Sequence, residues 1–358
     1  MEQILVFCRP GFETEAGREV TDSAAERGIF GYFEPLKDQG LVRFYPAAPE
    51  IADDVMARLP LAELVFVRDW IVVLGQFRLP ETDRVGAVIE GIRGLGRGFP
   101  GCARLEVRLP ENNADGDLGN FGRKWVSPLS RGLRGAGLLK PDQNASAPAR
   151  LEVFLPDFAS VVVGYSLADN RARFVGGIPR LRLPASAPSR SALKLEEAWK
   201  VFLPPEQELD YLGGGKKAAD LGAAPGGWTW QLVRQGMMVT AVDNGPMNDE
   251  LMASGQVEHV EADGYGWRPK RGIDWMVCDI VDQPRKTAKL AVTWVGEGLC
   301  RYTVFNLKLP MKKRYDEWLI CRDILVSGLR AAGIGFRLKA RHLYHDREEI
   351  TCFIERTG

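Results

Sequence analysis

Five polar residues stand at the ends of short apolar runs: Asp220 in KAADLG, Asp243 in MVTAVDN, Asp263 in VEHVEADG, Asp279 in IDWMVCDI and Lys308 in YTVFNLKLP. They are spaced 16 to 29 residues apart, about one strand–helix–strand step each. Open α/β sheets bind ligands beyond the carboxyl ends of their strands, so several such residues in register suggest one site. The loop after the first run, ADLGAAPGGWTW, has Gly222 and Gly227 at the outer spacing of a phosphate-binding loop. Trp228 and Thr229 stand where that loop needs Lys and then Ser or Thr to hold phosphates and magnesium. The stretch therefore reads as a nucleotide cradle without a phosphate grip.

The glycines let backbone approach a ligand closely, Pro225 sets the turn, and Trp228 opens the following helix. Asp243, ending the second run, is placed to accept both ribose hydroxyls of an adenosine. Asp263, ending the third, is placed to accept from an adenine amino group. An adenosine ligand without phosphates fits this set, and S-adenosylmethionine is the candidate. Its sulfonium tolerates acidic surroundings, and its carboxylate suits the N–H groups at a helix start. The plainer alternative is a tight turn with the acids acting as helix caps.

A second constellation joins Asp279 to Lys194, Lys308 and Glu349. Lys194 lies in SRSALKLEE at the opening of a helix, Lys308 ends a strand, and Glu349 begins the last strand in REEITCF. A lysine is a poor base while charged, but partial burial and a neighbouring cation favour its neutral form. A second lysine supplies that cation, and two carboxylates orient the pair. Such a cluster could take a proton from a ribose 2′-hydroxyl and aim the oxygen at an electrophilic methyl. Each lysine alone also reads as a surface ion pair.

The elements that must position these residues follow from periodicity. After Ser191, strand-like runs alternate with the helix-like stretches TWQLVRQG, KTAKLAVTWVGEGLC and EWLICRDILVSGLRAAG. That alternation predicts an α/β, mostly parallel, doubly wound sheet over 191–358, closed by a strand pair from GFRLKARHLY and EITCFIER. Ahead of it, EQILVFC predicts a strand and FETEAGREVTDSAAERG a helix ending at Gly28. FGYFEPLKDQGLVRFYP and LVFVRDWIVVLGQF each predict a strand pair, which makes an α+β module over 1–78. A second α+β module spans 79–170: helix TDRVGAVIEGIRGL, strand CARLEVRLP, helical FGRKWVSPLSRGLRGAGLL and the hairpin ARLEVFLPDFASVVVGYSL. Residues 171–190 hold Arg171, Arg173, Arg180, Arg182 and Arg190 with prolines and no acid, and read as a basic linker.

The 358 residues are 45% hydrophobic and 26% charged with zero formal net charge, so any nucleic-acid surface must be a local patch. Six cysteines without a CxxC pair, and three histidines, argue against a zinc site and for reduced thiols in the cytoplasm. No apolar run approaches the ~20 residues of a membrane helix, and the N-terminal apolar run is too short for a signal peptide. No metal and no membrane partner are expected.

SRSALKLEE, DLGAAPGGW, VCDIVDQP, NLKLP and the late Glu-rich strand resemble the heat-shock RNA ribose 2′-O-methyltransferase family over about 190–358. The resemblance implies a Rossmann-like, S-adenosylmethionine-dependent methyltransferase domain with a Lys-Asp-Lys-Glu tetrad. Lys194, Asp279, Lys308 and Glu349 carry that tetrad over, with Lys308 as the base. Glu348 is adjacent to Glu349 and strand alternation lets only one face the site. Glu349 is preferred because it precedes the apolar run. Ser191, the turn Ala224-Pro225-Gly226-Gly227, Asp243, Asp263 and Asp279 would line the cofactor pocket, with Asp220, Gly222 and Trp228 completing the loop. The chain is most similar to members that carry a ferredoxin-like segment and a THUMP RNA-binding domain before the catalytic domain, and GRKWVSPLSRGLR resembles that THUMP region. Those members imply a cytidine in the peptidyl-transferase region of 23S rRNA as target, before subunit assembly is complete, and a monomer or weak dimer.

Candidate RNA contacts are Arg123, Lys124, Arg131 and Arg134 in the second module, Arg180 and Arg182 in the linker, and Lys312, Lys313 and Arg314 just after Lys308. Ordinary solvated charge is the alternative for each. Trp125 reads equally as a base-stacking ring or a buried one. Base N-methylation would call for Asn-Pro-Pro-aromatic where DIVDQP stands, and C5-methylation for a nucleophilic cysteine, whereas Cys278 alternates away from Asp279. The missing G-x-G-x-x-G disfavours a dehydrogenase. An RNA-binding assembly factor with an inactive methyltransferase fold is the remaining alternative, and it has no need of two lysines and two carboxylates in one pocket.

Overall fold

The computed structural model describes residues 3–48, 52–96, 98, 100–111, 116–140 and 148–357. The chain divides into two compact units, 1–178 and 179–358.

In the first unit the elements run β1 (Gln3–Cys8), α1 (Glu13–Ala25), β2 (Gly31–Leu36), β3 (Leu41–Pro46), α2 (Ala52–Arg58), β4 (Val67–Arg78), α3 (Arg84–Arg93), β5 (Cys102–Arg108), α4 (Asp117–Gly135), β6 (Ala149–Phe154) and β7 (Ser160–Leu167). They build one sheet of order β2-β3-β1-β4-β7-β6-β5, in which only β5 and β6 pair in parallel. The stretch LVFVRDWIVVLGQF, expected to form two strands, is mostly one: β4 is 12 residues long. It contains no residue pair that favours a tight turn. Gly75 instead sits at a register shift between Val73 and Gly75. The first half of β4 pairs with β1 and the second half with β7, so the two α+β modules share a single sheet. Residues 171–178 also belong to this unit rather than to a free connector. The Ala172 N–H donates to the buried Asp69 carboxylate at 3.0 Å, and a side chain at Gly177 would meet the Arg68 carbonyl.

The second unit runs α5 (Ala192–Phe202), α6 (Glu208–Leu212), β8 (Lys217–Leu221), α7 (Gly227–Arg234), β9 (Met238–Val242), α8 (Asp249–Met252), β10 (Val257–Val260), β11 (Ile273–Cys278), α9 (Pro284–Gly296), β12 (Cys300–Lys308), α10 (Arg314–Ala331), β13 (Phe336–Arg341) and β14 (Glu349–Arg356). The sheet order is β10-β9-β8-β11-β12-β14-β13, with β14 antiparallel to both neighbours. The chain winds outward from β8 to β10, then crosses back to start β11 on the other side of β8. That reversal opens a crevice between the carboxyl ends of β8 and β11, the place where doubly wound sheets bind ligands. The central strands are buried on both faces, which is why β11 and β12 read as nearly continuous apolar runs.

The core of this unit centres on Trp275, fully buried in β11. Its ring lies 5.0 Å from Tyr302, 6.0 Å from Phe353 and 6.2 Å from Trp199, and its indole N–H donates to the Tyr211 carbonyl at 2.9 Å. Among the described residues no helix is long and apolar enough to cross a membrane. Replacing Trp275 by Ala should cost about 3–5 kcal/mol, the usual range for emptying an aromatic site in a packed core. Urea unfolding of the two proteins measures this, and an unchanged midpoint would show that the cluster does not carry the domain.

Candidate active site

The loop after β8 is shaped by what glycine omits. Gly222 has φ of 77°, and a Cβ there would lie 2.5 Å from Ile280. Gly226 has φ of 116° at the start of α7, and a Cβ would lie 2.5 Å from Leu251. Gly227 faces the Ser189 and Ser191 hydroxyls, which would stand 2.3 and 2.2 Å from an added Cβ. These three positions hold the turn compact against β11, α8 and the start of α5. Asp243, one residue past β9, braces the same turn: its Oδ2 accepts from Ala224 N at 3.0 Å and its Oδ1 from Gly245 N at 2.7 Å. Each oxygen keeps a lone pair for a further donor. Asp263 is exposed in a turn three residues beyond β10, and the next residue, Gly264, packs on Leu221 and Gly222. The strand ends thus bring Gly222, the 224–227 turn, Asp243, Asp263 and Asp279 to one end of the sheet.

Two residues expected at the loop surface stand behind it. Asp220 is 1% exposed and accepts from the Thr229 hydroxyl at 2.7 Å, which ties β8 to α7. Burial pushes its carboxyl up to about 7. Trp228 is buried, and its indole N–H donates to the Ser191 carbonyl at 3.0 Å, which ties α7 to α5. Neither burial nor partner choice could be read from residue type alone.

At the neighbouring strand ends, two lysines and two carboxylates close a ring. Lys308 Nζ donates to Asp279 Oδ1 at 2.5 Å and to Glu349 Oε2 at 3.1 Å. Lys194 Nζ lies 3.3 Å from Asp279 Oδ2 and contacts Glu349 Oε1. The four side chains are 10–17% exposed, so the ring is partly desolvated yet reachable from solvent. Burial raises the Asp279 carboxyl, but Lys308 and Lys194 outweigh it and hold Asp279 below the usual range. Burial lowers the Lys194 ammonium, but Asp279 and Glu349 outweigh that and hold it above the usual range.

Register explains the choice between the two glutamates. Glu349 pairs across the sheet with Lys308, whereas Glu348 turns outward and accepts from Arg314 Nε at 2.8 Å. The same register sets Asn306 opposite Thr351. Both are fully buried and join the site with Asp346 and Glu197, none of them foreseen from the sequence. Glu197 accepts from the Tyr344 and His345 N–H groups at 2.8 and 2.9 Å, which fixes the 342–348 segment to α5. Strand alternation was the available signal for Asn306 and Thr351, since each lies two residues from a member of the ring.

The basic candidates differ in availability. Arg123, Lys124 and Arg131 are exposed on α4. Arg134 is half-buried and donates to the Lys140 and Ala103 carbonyls at 2.9 and 3.3 Å, which ties α4 to the start of β5. Trp125 is buried and stacked on Phe121, so it is a core ring. In the second unit Arg180, Arg182, Lys312 and Lys313 are exposed, while Arg314 is held by Glu348. Cys278 is fully buried and burial pushes its thiol up to about 12, so it is no nucleophile for C5 chemistry.

A doubly wound sheet with a glycine loop that lacks a phosphate-gripping lysine at its switch point, and a lysine–carboxylate ring beside it, defines a Rossmann-like methyltransferase domain. Residues 187–292 match the FtsJ-like methyltransferase family, 1–71 the RlmM ferredoxin-like domain, and 83–167 the N-terminal domain of ribosomal RNA large subunit methyltransferase M. The chain is 70% identical over 356 residues to a ribosomal RNA large subunit methyltransferase M from Marinobacter nauticus, covering 99% of each chain. It is 45% identical to one from Stutzerimonas stutzeri, covering 99% of this chain and all of that one. The chain belongs to the ribosomal RNA large subunit methyltransferase M family. It is an rRNA methyltransferase, and its methyl donor is S-adenosylmethionine.

The buried Asp220 yields a stability test. Its folded value lies above the ~3.9 of an unfolded aspartate, so its favourable contribution is present at low pH and is lost as pH rises through about 7. Relative to Asp220→Asn, the wild-type protein should therefore lose stability between about pH 4 and pH 7, by at most about 1.4 kcal/mol per unit. Parallel unfolding curves for the two proteins across that window would show that Asp220 is not held neutral by burial.

Proposed function

We propose that the chain methylates the 2′-hydroxyl of a ribose in 23S rRNA, with a cytidine as target and Lys308 as general base. The closed ring of Lys194, Asp279, Lys308 and Glu349 carries this reading. The methyl donor supplies an electrophilic methyl group on a sulfonium. The donor set suits it: glycines open the loop, Asp243 keeps acceptor capacity for a ribose, and no lysine follows Gly227 to bind phosphate.

Lys308 Nζ takes the 2′-hydroxyl proton as the ribose oxygen forms its new bond to the methyl carbon and the carbon–sulfur bond breaks. With Lys308 neutral the ring carries one net negative charge, which complements a sulfonium. Once Lys308 holds the proton, two ammonium groups balance two carboxylates. Lys194 keeps both carboxylates in place through that change, because it touches Asp279 and Glu349 from the opposite side.

Lys312 and Lys313, exposed just past Lys308, suit RNA phosphates near the reacting ribose. Within the first unit the exposed face of α4 with Arg123, Lys124 and Arg131 suits a second RNA contact, and within the second unit Arg180 and Arg182 suit RNA phosphates. The working setting is the cytoplasm, on 23S rRNA not yet fully assembled.

Lys308→Ala should lower methyl transfer by at least ~10²-fold while S-adenosylmethionine binding stays nearly intact. Turnover equal to wild type would remove Lys308 from the reaction. Mass-spectrometric mapping of 23S rRNA from cells with and without the protein should show one 2′-O-methyl group missing in its absence. An unchanged methylation map would defeat the ribose assignment. Asp243→Ala should weaken S-adenosylmethionine binding in calorimetry by about tenfold or more, the equivalent of a lost charge-assisted hydrogen bond. Equal affinity would take Asp243 out of the ribose contact.

A further inference from the structure

Behind the ring, a line of buried polar groups leads away from Asp279. Asn306 Nδ2 donates to Asp279 Oδ1 at 2.8 Å. Thr351 Oγ1 lies 2.8 Å from Asn306 Oδ1, and 3.1 and 3.0 Å from the two oxygens of Asp346. Asn306, Thr351 and Asp346 are all fully buried.

Donor counting sets the direction of this line. Asp279 stands between two ammonium groups and only accepts, so the amide nitrogen of Asn306 must face it. The Asn306 carbonyl then faces Thr351 and takes the single hydroxyl proton. Thr351 Oγ1 consequently meets Asp346 as an acceptor. An ionised Asp346 would set acceptor against acceptor in a dry site. A proton on Oδ1 of Asp346 resolves this, since Oδ2 already accepts from Leu343 N at 3.0 Å.

We propose that Asp346, as a neutral carboxylic acid, forms with Thr351 and Asn306 a positioning relay that holds Asp279 in place against Lys308. The proposal rests on the reading of the ring as the transfer site. None of the three residues is placed against substrate; they act through Asp279.

The groups facing Asp346 agree. Burial, Glu349 at the start of β14 and Glu197 from α5 all raise its carboxyl, and the Leu343 N–H and Lys194 from α5 only partly oppose them, leaving it near 8. The acid is therefore neutral at pH 7. When it ionises, the Thr351 hydroxyl turns toward the new carboxylate. Asn306 then loses the bond that orients its amide, so its donation to Asp279 weakens while Lys194 and Lys308 still hold that carboxylate.

Steady-state methylation of 23S rRNA purified from cells lacking the enzyme, with the full-length protein, tests this. Thr351→Val keeps the shape and deletes the hydroxyl. Its kcat should fall about tenfold, the rate equivalent of one lost hydrogen bond, with KM for S-adenosylmethionine unchanged. Thr351→Ser should restore kcat to within about twofold, since it keeps the hydroxyl donor. Wild-type kcat should decline above a midpoint near pH 8. Asp346→Asn, which donates to Thr351 and does not titrate, should lack that decline. This arm compares wild type with Asp346→Asn, each checked by circular dichroism to be folded across the pH range, so it stands even if Thr351→Val folds poorly. Wild-type kcat in Thr351→Val, or the same alkaline decline in Asp346→Asn, would overturn the relay. Retained activity in Lys308→Ala would instead overturn the ring. An inactive Lys308→Ala beside an unaltered Thr351→Val would sink the relay alone.

Discussion

The pairing of β12 with β14 is the constraint on which the site depends. An antiparallel strand enters an otherwise parallel sheet there and sets Lys308 opposite Glu349 and Asn306 opposite Thr351. A shift of one residue would turn every side chain of β14 to the other face of the sheet. Glu348 would then face the ring and Glu349 would reach Arg314. The register is held at the strand's start by contacts that have no part in the ring itself. Leu309 N donates to the Glu348 carbonyl at 2.6 Å, and Glu197 fixes the segment leading into β14. The strand pairing is thus determined on both sides of the residue whose direction matters.

A half-buried set of four charges is costly unless each is paired, because desolvation opposes the Coulombic gain. The ring meets that condition by closure. Each ammonium touches both carboxylates, and each carboxylate touches both ammonium groups. The directions of the shifts at Lys194 and Asp279 express the outcome: burial acts against both charged forms and loses in both cases. The glycine loop on the adjacent strands obeys a different rule. Its positions are set by clearance, with Ser189, Ser191, Ile280 and Leu251 occupying the space a side chain would need. Charge organises one half of the crevice and excluded volume the other.

How much of this was legible in the sequence follows the same division. Strand-end residues are local facts, so Asp243, Asp279, Lys308 and the Gly222–Gly227 loop could be read from runs that stop at a polar residue. Which end of which strand meets another is a matter of register, and register is not local. Glu349 was singled out by its place before an apolar run; Asn306 and Thr351 were marked only by alternation with Lys308 and Glu349, and Asp346, in a loop, carried no pattern of its own. Packing also reassigned residues of the expected type. Asp220 and Trp228 brace the loop from behind, and Arg134 and Arg314 spend their donors inside the fold. The stretch expected as a strand pair is the long strand β4, in which Gly75 absorbs a register shift and lets one strand serve two partners.

The neutral acid behind the ring follows from charge balance as much as from donor counting. Two lysines already match Asp279 and Glu349, so a third ionised carboxylate on the buried side would leave the cluster negative before the base has lost its proton. It would also raise the affinity of both lysines for protons, which opposes the loss of the proton that must leave Lys308 before it can act as a base. A carboxylic acid supplies a strong O–H donor without that charge. An asparagine in its place would supply a donor too, but one that no pH could switch. An ionisable group whose folded value lies near 8 leaves the relay intact at neutral pH and links the ring's geometry to alkalinity. The rigidity of Asp279 and the protonation of Asp346 are on this account one equilibrium, observed at two ends of three buried side chains.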